Sequence, residues 1–240
     1  MSSFSDYTKI VFDAFDANTR ANDVIQKKQE ILTKISEYHN VDPKTFLFVG
    51  FNPIIFTLHN KDITVIETDK TVIDNLTKRN IKISNLDKIG NTKFDCVIAM
   101  DEYLTFVNNE DDVKNKITFL CSLTKDVLIT SIKDYKNQDF KDKEYSIPAL
   151  IKTDKGTTAY TEIHNWSMTD KSQFNTHLYE LSDSEAKFCG KFERRPIYFK
   201  QLARFCSDAG STEFLVHRNL MYKSVIKKNY EHVISVRFDN

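Results

Sequence analysis

The clearest chemical signal in the sequence is an acidic residue, Glu67, placed seventeen residues after a lone glycine, Gly50. Gly50 stands in Phe48-Val49-Gly50-Phe51-Asn52-Pro53, where an apolar run gives way to a helix start. A glycine at such a turn lets a ligand come close to the backbone. Glu67 closes the next apolar run, in Val-Ile-Glu-Thr-Asp, where a carboxylate can accept hydrogen bonds from both ribose hydroxyls of a nucleoside. Together the two residues suggest adenosine recognition.

The elements around them read as alternating strands and helices. Thr45 to Val49 is continuously apolar, the pattern of a strand buried on both faces. Asn52 and Pro53 then read as the cap and first residue of a short helix running to about His59. A second strand spans 63–67, and Asp69 caps a helix over about 70–79 with Val72, Ile73 and Leu76 inward. A weak strand at 81–84 and a clearer one at 94–100 follow. Asn108 or Asn109 opens a helix whose acidic first turn, Glu110 to Asp112, complements the helix dipole, and 127–132 forms a fifth strand. Short connections between such elements predict a doubly wound parallel α/β sheet. Helices over 4–39 precede it.

Beyond about residue 138 the pattern changes to alternation. Thr161 to Met168 and Gln173 to Leu181 read as an antiparallel hairpin. Arg194, Arg195 and Pro196 precede a helix with Leu202 and Phe205 inward and Gly210 at its end, and two strands near 212–220 and 230–238 close the chain as an antiparallel pair.

The order of elements, the Gly50 turn, Glu67 and the closing strand pair resemble the class I S-adenosylmethionine-dependent methyltransferases. The resemblance implies a Rossmann-like, seven-stranded sheet with its last strand antiparallel. Over the whole chain, 1–240, it implies one domain: N-terminal helices at 1–40, a cofactor-binding core at 45–137, an inserted substrate segment at 138–192 and a C-terminal helix and strand pair at 193–240. It also implies S-adenosylmethionine as cofactor, held by Val49, Gly50, Phe51, Asn52, Glu67, Thr68, Asp87 and Met100. Asp101, Glu102 and Tyr103, just past the fourth strand in Phe-Asp-Cys-Val-Ile-Ala-Met-Asp-Glu-Tyr, become candidate catalytic residues, an Asp or Glu serving as base where the acceptor holds a proton. Tyr135, Trp166 and Tyr179 are candidates for a substrate lid, and His164 for a more distant base. Arg194 and Arg195 are expected on the surface at a helix start, with pairing to an anionic acceptor as the alternative. The sequence departs from the family pattern where Phe48 replaces an acidic residue and Asn52 and Ile54 occupy later glycine positions. A catalytically inactive binding or assembly module on the same fold therefore stands as the alternative. A nicotinamide-dependent oxidoreductase is disfavoured by the missing Gly-x-Gly-x-x-Gly turn.

Bulk composition narrows the partners. The 240 residues balance 34 basic against 34 acidic side chains, so no global positive field favours nucleic acid, and a small-molecule acceptor is the expected partner. No apolar run is long enough to span a bilayer, and the first twenty residues lack a signal-peptide pattern, so a cytoplasmic protein is expected. Cys96, Cys121, Cys189 and Cys206 form no CxxC pair and have no nearby histidine at metal-ligand spacing, which predicts reduced thiols and no metal centre.

Overall fold

The computed structural model describes residues 3–135, 143–167, 172–182, 185–226 and 231–239. Met168, the expected end of the first hairpin strand, and most of the connection on to Gln173 lie outside them.

Seven strands form the main sheet: β1 (Thr45–Val49), β2 (Asp62–Ile66), β3 (Lys82–Ser84), β4 (Phe94–Ala99), β5 (Thr124–Ile132), β11 (Glu213–Tyr222) and β12 (Glu231–Arg237). Their spatial order is β3-β2-β1-β4-β5-β12-β11. All neighbours from β3 to β5 are parallel, whereas β12 runs antiparallel to both β5 and β11. Strand order reverses between β1 and β4, so the carboxyl ends of these two strands flank the fold's natural crevice.

Alternation along the strands explains why the sheet is buried on both faces. Phe46, Phe48, Cys96, Ile98, Val127 and Ile129 belong to one apolar cluster, and Leu47, Val49, Val97, Ala99 and Leu128 to a second. The first cluster is covered by α1 (Phe4–Asp16), α2 (Ala21–His39) and α3 (Lys70–Lys78), the second by α5 (Glu110–Leu123) and α6 (Phe199–Asp208). Helix α1 buries Tyr7, Val11, Phe12, Ala14 and Phe15 on one stripe, and Ser3 and Asp6 cap it reciprocally. Asp69 and Asn109 cap α3 and α5 through the backbone N–H groups of Val72 and Asp112.

Two expectations need correction. The helix expected after Pro53 is a single 3-10 segment, Pro53–Thr57, closed by i→i+3 bonds from the Ile55 and Leu58 N–H groups to the Asn52 and Ile55 carbonyls. The expected hairpin is the centre of a second, five-stranded antiparallel sheet. It comprises β6 (Lys143–Tyr145), β7 (Ala149–Thr153), β8 (Gly156–Trp166), β9 (Phe174–Leu181) and β10 (Ala186–Arg194), with β10-β9-β8-β6 in order and β7 also pairing β8. One face of this sheet carries Tyr160, Leu178 and Phe192 into the first cluster, so α1 lies between the two sheets. Among the described residues no helix is long and apolar enough to cross a membrane. The four cysteines are free thiols, all buried except the half-buried Cys189.

Candidate functional site

Gly50 follows β1 with φ +76°, a left-handed conformation that side-chain-bearing residues rarely adopt. A Cβ at this position would stand 2.7 Å from both the Phe4 ring and the Thr8 methyl of α1. The glycine therefore does two things: it allows the sharp exit from β1, and it lets α1 lie directly on the backbone.

Glu67 lies on the neighbouring strand end with 4% of its surface exposed. Its Oε1 accepts from Ser5 Oγ and from the backbone N–H groups of Thr68, at 2.7 Å, and Asp69, at 3.1 Å. Its Oε2 accepts from Thr8 Oγ1 at 2.9 Å. The carboxylate thus takes a hydroxyl donor on each oxygen, both from the same face of one helix, three residues apart.

A second polar group forms across the switch point. Asn52 caps its helical turn through the Ile54 N–H at 3.0 Å while donating to Asp101 Oδ2 at 3.2 Å and to the Tyr222 hydroxyl at 2.8 Å. The Tyr222 hydroxyl in turn donates to Asp101 Oδ2 at 2.7 Å. Burial, reinforced by Asp101, holds that phenol well above its usual range, so it remains a donor. Asp101 Oδ1 is buried and has no hydrogen-bond partner among the described residues. Lys28 lies over the Tyr222 ring, its ammonium 3.8 Å from the ring centroid, and donates to the Lys223 carbonyl at 2.9 Å. Burial pulls Lys28 down to about 8, against the opposing pull of Asp101 and Glu231.

The third group explains the turn after β4. Asp101 and Glu102 are both left-handed, at φ +57° and +55°. Left-handed backbone is uncommon outside glycine and costs on the order of 1–3 kcal/mol per residue, so it persists only where surroundings hold it. Glu102 is held on both oxygens: Tyr135 donates to Oε1 at 2.5 Å and Arg194 to Oε2 at 2.9 Å. Arg194 also donates to Glu162 Oε1 at 3.3 Å, and its guanidinium packs over the rings of Tyr7 and Phe106. His164 Nε2 is 3.0 Å from the other Glu162 oxygen. Burial alone would lower the guanidinium pKa, yet Glu162 and Glu102 outweigh it and raise it.

The structure brings some of the residues singled out in the sequence together and leaves others apart. Val49, Gly50, Phe51, Asn52, Met100, Asp101, Glu102 and Tyr103 all gather, buried, at the ends of β1 and β4. Thr68 is exposed and supplies only its backbone N–H to Glu67, and Asp87 is exposed in the first turn of α4 (Leu86–Ile89). Tyr135 and Trp166 do meet, with Phe174, in a buried aromatic cluster. Tyr179 does not join them, because β9 alternation turns it to the other face, beside Phe188. Arg194 was expected on the surface and is fully buried, while Arg195 is half-buried. The missed signal was the length of β10: its alternation carries Phe192 and Arg194 to the inner face. Ser5, Thr8, Lys28 and Tyr222 gave no sequence signal, since only the fold brings them to the crevice.

This architecture, a sheet in the order β3-β2-β1-β4-β5-β12-β11 with the crevice between β1 and β4, is the class I S-adenosylmethionine-dependent methyltransferase fold. Among similar solved structures, Streptomyces venezuelae DesVI aligns over 96% of this chain and 98% of its own at TM-score 0.70 and 12% identity. An S-adenosylmethionine-dependent methyltransferase from Clostridium acetobutylicum aligns over 98% and 99% at TM-score 0.66 and 12% identity. The amino pentose methyltransferase CalS10 from Micromonospora echinaspora, solved with S-adenosylmethionine bound, aligns over 90% and 91% at TM-score 0.67 and 10% identity. No family model and no curated protein matches the sequence.

Proposed function

We propose that the chain is an S-adenosylmethionine-dependent methyltransferase acting on a small-molecule acceptor. The observation that carries this reading is the buried Glu67 carboxylate, which follows β2 beside the Gly50 end of β1 and takes one hydroxyl on each oxygen. A ribose diol offers the same pair of donors. The residues present fit the cofactor in kind: Gly50 supplies a bare backbone and Glu67 a diol acceptor. The acceptor class rests on the shared fold with enzymes such as the amino pentose methyltransferase, together with the chain's neutral charge balance.

When bound, the cofactor supplies a methyl group already activated by its sulfonium, so positioning does most of the work. On this reading Gly50, Phe51, Asn52 and Glu67 hold the nucleoside and Met100 and Tyr103 border it. Asp101 is the group best able to take a proton from an acceptor, because one of its oxygens is uncommitted. Glu102 has both oxygens engaged by Tyr135 and Arg194 and acts as a strut that fixes the turn.

A second reading has one specific observation in its favour: Phe4 and Thr8 of α1 already lie on Gly50, as they would in a binding module that has abandoned the cofactor. Titration calorimetry with S-adenosylmethionine and S-adenosylhomocysteine, with NADH as control, separates the two. Micromolar binding that weakens about tenfold or more in Glu67→Ala is the expected result, reflecting lost hydrogen bonds to a charged group. Binding that ignores Glu67→Ala would remove Glu67 from the site.

A further inference from the structure

We infer that the first two turns of α1 are a built-in competitor of the nucleoside, so that the crevice is autoinhibited until they leave; this rests on the cofactor reading above. The residues involved imitate what they exclude. Ser5 and Thr8 present two hydroxyls from one helix face to the two oxygens of Glu67, the donor pattern of a ribose diol. Phe4 lays an aromatic ring against Gly50, with its centroid 4.9 Å from that of Tyr103 in an edge-on contact. The backbone of the turn and the carboxylate beside it are thus both covered, and a nucleoside cannot reach either while α1 is docked.

The device has a preformed closed state and room to open. Ser3 and Asp6 form a capping box, Asp6 Oδ2 accepting from the Ser3 backbone N–H at 2.5 Å, which satisfies the N-terminus of the blocking turn from within α1. The opposite flank of α1, at Asp6, Lys9 and Asp13, borders an open groove of about 950 Å³ shared with Phe188 and Lys191 of β10, so the helix is not walled in on that side. A binding-competent state populated only in part lowers the apparent affinity by that fraction. Weakening the docked state should therefore tighten ligand binding, the opposite of what a residue that helps hold the ligand would do.

The test uses the full chain carrying Ser5→Ala with Thr8→Val, which removes both hydroxyls while keeping the volume at the buried Thr8 position. Calorimetry with S-adenosylhomocysteine is paired with amide hydrogen exchange over residues 7–16. The expected result is binding at least about tenfold tighter than in the unaltered protein, since hydrogen bonds to a charged group are each worth about a factor of ten or more. Ligand addition to the unaltered protein should speed exchange in α1. Equal or weaker binding by the variant, or slowed α1 exchange on ligand addition, would mean that α1 clamps the ligand and would overturn the autoinhibition while leaving the cofactor reading intact. No binding to either protein, with α1 exchange already faster in the variant, would overturn the cofactor reading itself, since the crevice would then be free and still refuse a nucleoside.

Discussion

Arg194 Nη1 stands 2.9 Å from Glu102 Oε2 while Nη2 stands 3.3 Å from Glu162 Oε1, so one buried guanidinium ties the second sheet to the turn after β4. Removing one partner of such a pair leaves uncompensated charge in the interior, which costs about 3–5 kcal/mol. Arg194→Met should therefore lower unfolding stability by about that much in denaturant titration. Arg194→Lys should recover little of it, because a single ammonium cannot fork to two carboxylates. A loss below about 1 kcal/mol for Arg194→Met would show that water or rearrangement compensates the two glutamates.

That relationship also marks what the sequence could convey. The strands of the main sheet were legible because burial on both faces writes continuous apolar runs such as Phe46 to Val49. Glu67 and the Asp101-Glu102 turn were legible because they follow directly on such runs. The second sheet was legible only at its centre, where β8 and β9 alternate strongly; the three-residue β6 and the five-residue β7 are too short to give a pattern. The role of Arg194 depends on Glu162, thirty-two residues away, and that of Ser5 on Glu67, sixty-two away, pairings that no local periodicity encodes.

Gly50 gives a sharper test of local geometry. A side chain there meets both a φ of +76° and contacts at 2.7 Å from Phe4 and Thr8. The left-handed backbone alone costs about 1–2 kcal/mol for an L-residue. Gly50→Ala should destabilise the fold by at least that amount and raise hydrogen exchange in α1 more than in β1 to β5. Uniform exchange changes across the chain would argue that the cost is purely conformational and that α1 yields without strain.

Lys28 ties stability to pH. Its folded pKa is about 8 and its ordinary value 10.5, with burial as the first cause. Below pH 8 the group is protonated in both states, so the buried ammonium carries its full penalty, up to about 3 kcal/mol at 1.36 kcal/mol per pKa unit. Between pH 8 and 10.5 the unfolded chain binds more protons than the folded one, so this group makes stability rise with pH. Buried thiols such as Cys96, raised by burial, and phenols such as Tyr222 act in the opposite direction above about pH 9, so the rise is read as a difference from Lys28→Met. The difference in unfolding free energy between the two proteins should stay flat below about pH 7 and move in favour of the unaltered protein between about pH 8 and 10. A constant difference would mean that Lys28 stays protonated throughout.

Asp101→Asn tests the chemistry and the electrostatics together. Asparagine tolerates the left-handed backbone at this position as well as aspartate does, and it can still accept from the Tyr222 hydroxyl, so the turn should survive. What disappears is a negative charge and an uncommitted acceptor oxygen. If Asp101 takes a proton during methyl transfer, turnover should fall while cofactor affinity stays near normal, the signature of an interaction needed only in the transition state. The same change removes the charge that opposes the lowering of Lys28, so the Lys28 titration should move further below about 8. A joint loss of turnover and cofactor affinity, with the Lys28 titration unmoved, would place Asp101 in cofactor positioning and outside the range at which it influences Lys28.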